Sequence, residues 1–295
     1  MRIYGLDFTS APGKGKPLAL SRCELDAGVL RLEGFEAFES YDALEELLRS
    51  PGPWVMGCDF PFSQSARLLR EAGGHLSAAL SPEKTPMQWP TSWEDYLRGM
   101  AALTQDQFKA LMKTCPPDER GVRERKRVAG IAANACSPQH VDFPPVGLMF
   151  HQGARLLLEC PCEVVPQRLS GDTRKLFEVY PGVFAERFCG DKGYKEGKKP
   201  QALERAAKRE RMLALMGGDR LRETYGFTVS FDESHARQMV ADPKGDFLDA
   251  LICAVQAAWA WSRRGNNYAL PGPDVIAPDV LAFEGWIFDP HCRVK

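Results

Sequence analysis

The chain has no apolar run near the roughly 20 residues that a membrane-spanning helix needs. The longest candidate, Ala250 to Trp261, is broken by Gln256 and closed by Ser262-Arg263-Arg264. Net charge is also nearly absent, with 38 Lys and Arg against 39 Asp and Glu. No global basic field marks a nucleic-acid binder, so such binding must come from a local patch. No charged-then-apolar leader follows Met1, since Arg2 leads directly into Ile3-Tyr4-Gly5-Leu6-Asp7, and the nine cysteines are an odd number. Both observations predict reduced thiols and a cytoplasmic protein rather than a secreted one. There is no Gly-x-Ser-x-Gly elbow, and none of the five histidines sits in a triad-like setting. Cys160-Pro161-Cys162 lacks a partner pair at zinc spacing, Cys136 and His140 being the nearest loose candidates.

What is present is the composition of a folded protein: 295 residues, 44% hydrophobic and 26% charged, enough to bury a substantial core. Ile3 to Phe8 reads as a strand, followed by a loop through Gly13-Lys14-Gly15-Lys16. Leu18 to Leu25 and Val29 to Phe35, joined by Asp26-Ala27-Gly28, read as two further strands of an antiparallel meander. A short helix capped by Ser40 and stopped by Ser50-Pro51-Gly52-Pro53 leads to a buried strand, Trp54 to Cys58. That helical crossover lets the fourth strand lie parallel to the first, with their C-terminal ends adjacent. Ser63 to Ser170 has a different texture, with helical pieces at Glu94 to Met100 and Gln105 to Met112 and a basic run from Arg120 to Arg127; it reads as a helical insertion. Arg174 to Tyr180 is the fifth strand. Pro181 opens a short segment ended by Gly190, and Pro200 opens a long helix reaching Met216. A last helix runs from Asp246 to Trp261, and the Pro- and Gly-rich tail from Gly265 onward is expected to pack across the surface.

Acidic residues fall where apolar strands end or where a buried helix begins: Asp7, Asp59, Glu178, and the pair Asp246 and Asp249. Ile3, Gly5 and Asp7 share one strand face, as do Leu176, Glu178 and Tyr180. Asp246 and Asp249, three apart on a helix, also face the same way. Buried carboxylates are costly unless a cation, donors or water compensate them. Mg²⁺ or Mn²⁺ takes such hard oxygen ligands together with substrate phosphate oxygens. Two ions about 4 Å apart would activate water and stabilise the leaving oxygen in phosphodiester cleavage. Each position also has an ordinary explanation. Asp7 and Asp59 suit turns, Glu178 suits a buried ion pair with an Arg, and Asp246 and Asp249 suit an N-cap and the helix dipole.

In the order and spacing of Gly5-Leu6-Asp7, Asp59-Phe60-Pro61, Pro144-Pro145-Val146-Gly147, Glu178-Val179-Tyr180-Pro181 and Asp246-Phe247-Leu248-Asp249-Ala250-Leu251, the chain resembles the RNase H-like superfamily. Within it, the similarity is to the predicted nuclease family known as domain of unknown function 429, and the final block looks like the last acidic helix of RuvC-type resolvases. The resemblance implies one α/β domain over residues 1–295, with a mixed sheet of order 3-2-1-4-5, flanking helices and the insertion between strands 4 and 5. It implies metal-dependent phosphodiester hydrolysis of nucleic acid, with Asp7, an acid at Asp59 or Glu178, and Asp246 or Asp249 as ligands. The full expected site is Asp7, Asp59, Glu178, Asp249 and Asp246 around Mg²⁺ or Mn²⁺, with Arg123 and Arg127 as phosphate contacts.

Other readings stay open at this level. Sugar kinases and related ATPases share the strand order and place an Asp and a Thr after the first strand, as Asp7-Phe8-Thr9-Ser10 does, although no second meander follows the insertion. Gly13-Lys14-Gly15-Lys16 lacks Walker A spacing. An inert nucleic-acid-binding module is a third class. The basic run Arg120 to Arg127 also reads as a solvated helix face. The second basic zone, Lys192 to Lys199 with Arg205, Lys208, Arg209 and Arg211, is interleaved with Glu and reads as a soluble surface helix.

Overall fold

The computed structural model describes residues 1–80, 90–190, 193–195 and 202–294. Three strands open the chain, β1 (Arg2–Asp7), β2 (Leu18–Asp26) and β3 (Val29–Phe38), and they pair as the antiparallel meander that the turn at Asp26-Ala27-Gly28 predicts. Helix α1 (Asp42–Arg49) then carries the chain across to β4 (Trp54–Cys58), which runs parallel to β1. Tyr41, not Ser40, occupies the α1 N-cap, and no side chain caps it.

Between β4 and the next long strand come α2 (Ala66–Leu80), α3 (Trp93–Ala101), α4 (Gln105–Thr114), α5 (Val128–Ala132) and α6 (Val146–Glu159). The segment expected as an insertion is mostly helical among its described residues, and near its end lies a short strand, β5 (Glu163–Val165), that pairs with β6 (Arg174–Glu178). After β6 follow α7 (Pro181–Cys189), α8 (Ala202–Met216), α9 (Asp219–Tyr225), β7 (Thr228–Ser230), α10 (Glu233–Ala241), α11 (Asp246–Ser262) and α12 (Pro278–Glu284). Lys192, the stretch 196–199 and Pro200 lie outside the described residues.

The result is a mixed α/β fold around one seven-stranded sheet, in the order β5-β6-β4-β1-β2-β3-β7, with helices against it. The three-residue strands β5 and β7 at its two edges are additions to the five expected. Strand pleating divides the sheet into two faces. On one, Tyr4, Leu6, Met56, Cys58 and Leu176 bury against Tyr96, Phe108 and Phe150 of the insertion. On the other, Ile3, Val55 and Phe177 bury against Leu251, Ala254 and Ala258 of α11.

Helix α11 lies unusually close to the sheet because Gly5 of β1 and Gly57 of β4 sit opposite each other in register. A Cβ on Gly5 would lie 2.0 Å from the carbonyl oxygen of Ala250, and one on Gly57 would lie 2.3 Å from that of Cys253. Ser21 of β2, beside Gly5, donates its hydroxyl to the same Ala250 carbonyl at 2.8 Å. This pins the N-terminal end of α11 over the ends of β1 and β4. The C-terminal tail departs from expectation. Instead of crossing the surface, Trp286, Ile287 and Phe288 are buried, and the Phe288 amide donates to the Glu178 carbonyl at 2.9 Å. Among the described residues no helix is long and apolar enough to cross a membrane.

Candidate metal centre

Two strands carry the same short pattern, Gly5-Leu6-Asp7 and Gly57-Cys58-Asp59. With Gly5 opposite Gly57 and Leu6 opposite Cys58, Asp7 and Asp59 follow at neighbouring strand ends on the face that holds α11, since alternate residues share a face. The first turn of α11 then supplies Asp249. One carboxylate oxygen from each of Asp7, Asp59 and Asp249 lies within 4.8 Å of the other two. Three segments far apart in the chain therefore meet at one rim of the sheet.

The electrostatics follow from burial and crowding. Burial pushes the Asp7 carboxyl up to about 7; Asp249 and Asp246 push in the same direction, against the pull of Lys195 and Lys16. Burial also raises Asp59 well above the ordinary carboxylate range, with Asp7 and Asp249 adding to it. Asp249 is raised for the same first reason, while Lys195 and Tyr194 pull it down. Such a set of hard oxygen donors suits Mg²⁺ or Mn²⁺.

Asp246 lies at the edge of this group, paired with Lys16. Glu178 is not brought into it. In the register of β4 and β6, Cys58 stands opposite Glu178, so Glu178 points to the insertion face while Asp59, one residue on from Cys58, points to the other. There Glu178 accepts from Arg127 through both oxygens, one at 2.7 Å, and from the Phe62 amide at 2.9 Å. A carboxylate held in this way has its lone pairs committed. Arg127 is correspondingly removed from the expected phosphate contacts: it is buried and spans Glu178 and the Glu284 carbonyl. Arg123 remains exposed. The run Arg120 to Arg127 is not a helix face; it is an extended loop in which Arg125 and Arg127 turn inward while Arg123 and Lys126 turn out.

Three participants escape sequence reasoning. Lys16, at the end of a tight turn closed by hydrogen bonds between Gly13 and Lys16, reaches back to Asp7 at 3.4 Å and to Asp246. Lys195 pairs with Asp249, and the Tyr194 hydroxyl donates to the same carboxylate. The backbone of Gly193 to Lys195 is held from behind by α8. Arg205 donates to the carbonyls of Gly193 and Lys195, and Arg209 donates to that of Tyr194 at 2.6 Å. The expected soluble surface helix therefore buries Arg209 as a strut. Gly245, at φ +72°, opens α11 beneath this strap, where a Cβ would stand 3.2 Å from the Tyr194 ring.

The cysteines form no competing centre. All nine are free thiols, and among the described residues the three aspartates are the group of His, Cys, Asp or Glu ligands close enough to share an ion. His151 packs on Phe108 and faces the Leu103 carbonyl at 2.9 Å, a packing role.

The family model described as "Protein of unknown function (DUF429)" matches residues 157–275. That span covers Glu178, Tyr194, Lys195, Asp246 and Asp249 but not Asp7 or Asp59. No curated protein and no solved structure matches the chain.

Proposed function

We propose that this chain is an RNase H-like, divalent-cation-dependent nuclease that hydrolyses phosphodiester bonds. The observation that carries the reading is the convergence of Asp7, Asp59 and Asp249, from β1, from the end of β4 and from α11, with ligand oxygens within 4.8 Å. Among the described residues, the centre holds four carboxylates, counting Asp246, and two lysines, Lys16 and Lys195. Crowded buried carboxylates are expensive in a folded protein unless a cation joins them or they hold protons, and a divalent cation relieves all three aspartates at once. The meander, the parallel fourth strand and the acidic helix laid over β1 and β4 are what an RNase H-like core would provide.

When bound, Mg²⁺ or Mn²⁺ supplies Lewis-acid polarisation of the phosphoryl group and a lowered water pKa. The protein's own part is to hold Asp7, Asp59 and Asp249 as the ligands and to keep them from rotating. The glycine pair under α11 fixes the distance between helix and strands, and Tyr194 fixes one oxygen of Asp249. Phe60, which directly follows Asp59, packs on Phe8 and on Phe62 within the core cluster of the other sheet face and anchors the end of β4. Exposed Arg123 and Lys126 offer phosphate contacts that give sequence-independent affinity with a steep salt dependence.

The test is a panel of labelled single- and double-stranded DNA, RNA and hybrid substrates, incubated with Mg²⁺, Mn²⁺ or chelator beside an ATP hydrolysis assay. Cleavage that needs the metal and disappears in Asp7→Asn and Asp249→Asn supports the nuclease. Phosphate release from ATP without cleavage, or binding with neither reaction, overturns it.

A further inference from the structure

The lysines of the acidic centre stand between it and solvent. The side chains of Asp7, Asp246 and Asp249 are 5%, 7% and 1% exposed, whereas those of Lys16 and Lys195 are 40% and 42% exposed. Asp59 is partly exposed, and among the described residues the ammonium groups paired with Asp7, Asp246 and Asp249 are the more exposed members of each pair. Both lysines hang from backbone that is tied down elsewhere. Lys16 closes the Gly13 turn, and the neighbouring Gly15 carbonyl accepts from Lys244. The carbonyls on either side of Lys195 are held by Arg205 and Arg209. The parts left to move are two flexible four-carbon stems, each ending in a compact, strongly hydrated charge.

A divalent cation on Asp7, Asp59 and Asp249 would share those carboxylates with two positive charges already seated on them. Like charges at contact distance in a partly buried site repel strongly, so the ammonium groups and the ion cannot all keep these positions. An outward swing carries each ammonium to the mouth of the site, where a phosphodiester would arrive.

We propose that Lys16 and Lys195 are exchangeable counter-cations: they neutralise the aspartates in the absence of metal, and move outward to bind substrate phosphate when metal enters. The proposal rests on the nuclease reading above. It makes the polyanion a partner in metal loading, because the phosphate draws off the lysines that compete with the ion. By linkage, metal and polyanion then strengthen each other's binding by the same factor.

The experiment is Mn²⁺ binding by calorimetry and by electron paramagnetic resonance of the free ion, without nucleic acid. It uses the wild-type chain, Lys195→Met, Lys16→Met and Asp7→Asn, each first shown by circular dichroism to be folded. Lys195→Gln serves if the Met variant is not folded. Removing either lysine is expected to tighten Mn²⁺ binding about tenfold, within the usual range of site-to-site coupling, and Asp7→Asn to abolish it. Lysine variants that bind Mn²⁺ no more tightly than wild type overturn the exchange while leaving the metal centre standing. Absence of Mn²⁺ binding in every form, lysine variants included, overturns the metal centre itself. A second arm measures a phosphorothioate oligonucleotide in saturating Mn²⁺. Its affinity is expected to fall about fivefold or more in Lys195→Met, the low end of such coupling, and an unchanged affinity refutes the outward role.

Discussion

Two groups of largely buried carboxylates occupy opposite faces of the same sheet near its strand ends, and the protein treats them in opposite ways. On the insertion face, Glu178 is closed by the Arg127 guanidinium and the Phe62 amide. Beside it, Glu284 is closed by the amides of Ala66 at 2.8 Å and Val128 at 2.6 Å and by the Ser65 hydroxyl at 3.3 Å. Every partner named there is backbone, a buried Ser hydroxyl or a buried Arg, and no exposed side chain is among them. On the α11 face, Asp7, Asp59 and Asp249 crowd one another, and their cations are lysines on the solvent side. Buried charge closed by fixed donors ties segments of the chain together. Buried charge left in excess, with removable partners, is a place for a ligand.

The sharpest way to break this contrast is to open the closed cluster. Arg127→Met would leave Glu178 as an uncompensated buried charge and free the Glu284 carbonyl, at a cost of about 3–5 kcal/mol. Because Arg127 joins the insertion loop, β6 and the C-terminal segment, urea unfolding should shift by that amount and expose the buried tail near Trp286 together with the rest. A variant as stable as wild type would show that the closed cluster is not a structural tie.

A second prediction tests what holds the open cluster together. Gly57→Ala would place a methyl group 2.3 Å from the Cys253 carbonyl oxygen. Backbone cannot give way as a flexible side chain does, so α11 must lift from the sheet, costing about 1–3 kcal/mol. Because Asp249 moves with the helix, Mn²⁺ affinity should fall alongside the melting temperature. Lost stability with intact metal binding would separate the close helix contact from the site.

The contrast between the clusters also marks where the sequence can be read. Asp7, Asp59 and Asp249 are legible because each ends or opens an apolar segment that must be buried, which makes a carboxylate there conspicuous. Glu178 has the same outward signature, and the sequence gives no means of separating it from them. Which face a strand residue occupies depends on pairing register, and only the opposition of Cys58 to Glu178 decides it. The meander and the parallel fourth strand follow from turn chemistry and crossover rules, whereas β5 and β7, three residues each, are too short to show a period. Lys16 and Lys195 stand in loops without periodicity, and their reach to the aspartates is a tertiary fact. Arg127 was hidden in a run whose composition matches solvated surface.

The smallest predicted effect distinguishes a crowded carboxylate by its pH response. Burial, with the nearby aspartates, holds the folded-state pKa of Asp7 at about 7, against about 3.9 in an unfolded chain. Between those values the folded protein keeps a proton that the unfolded chain has released, so this group's contribution makes stability fall as pH rises through the window and level off above 7. Between pH 6 and pH 7 the loss is on the order of 1 kcal/mol or less, since one proton gives at most about 1.4 kcal/mol per pH unit. Asp7→Asn removes the titrating group, so its stability should vary less over that interval and exceed wild type at pH 7.5. Saturating Mn²⁺ should restore wild-type stability at the same pH by binding the ionised form. Paired urea titrations at pH 6, 7 and 7.5 for both proteins measure this. Parallel slopes in wild type and Asp7→Asn would mean that Asp7 is compensated by its lysines as fully as Glu178 is by Arg127, and the distinction between the two faces would fail.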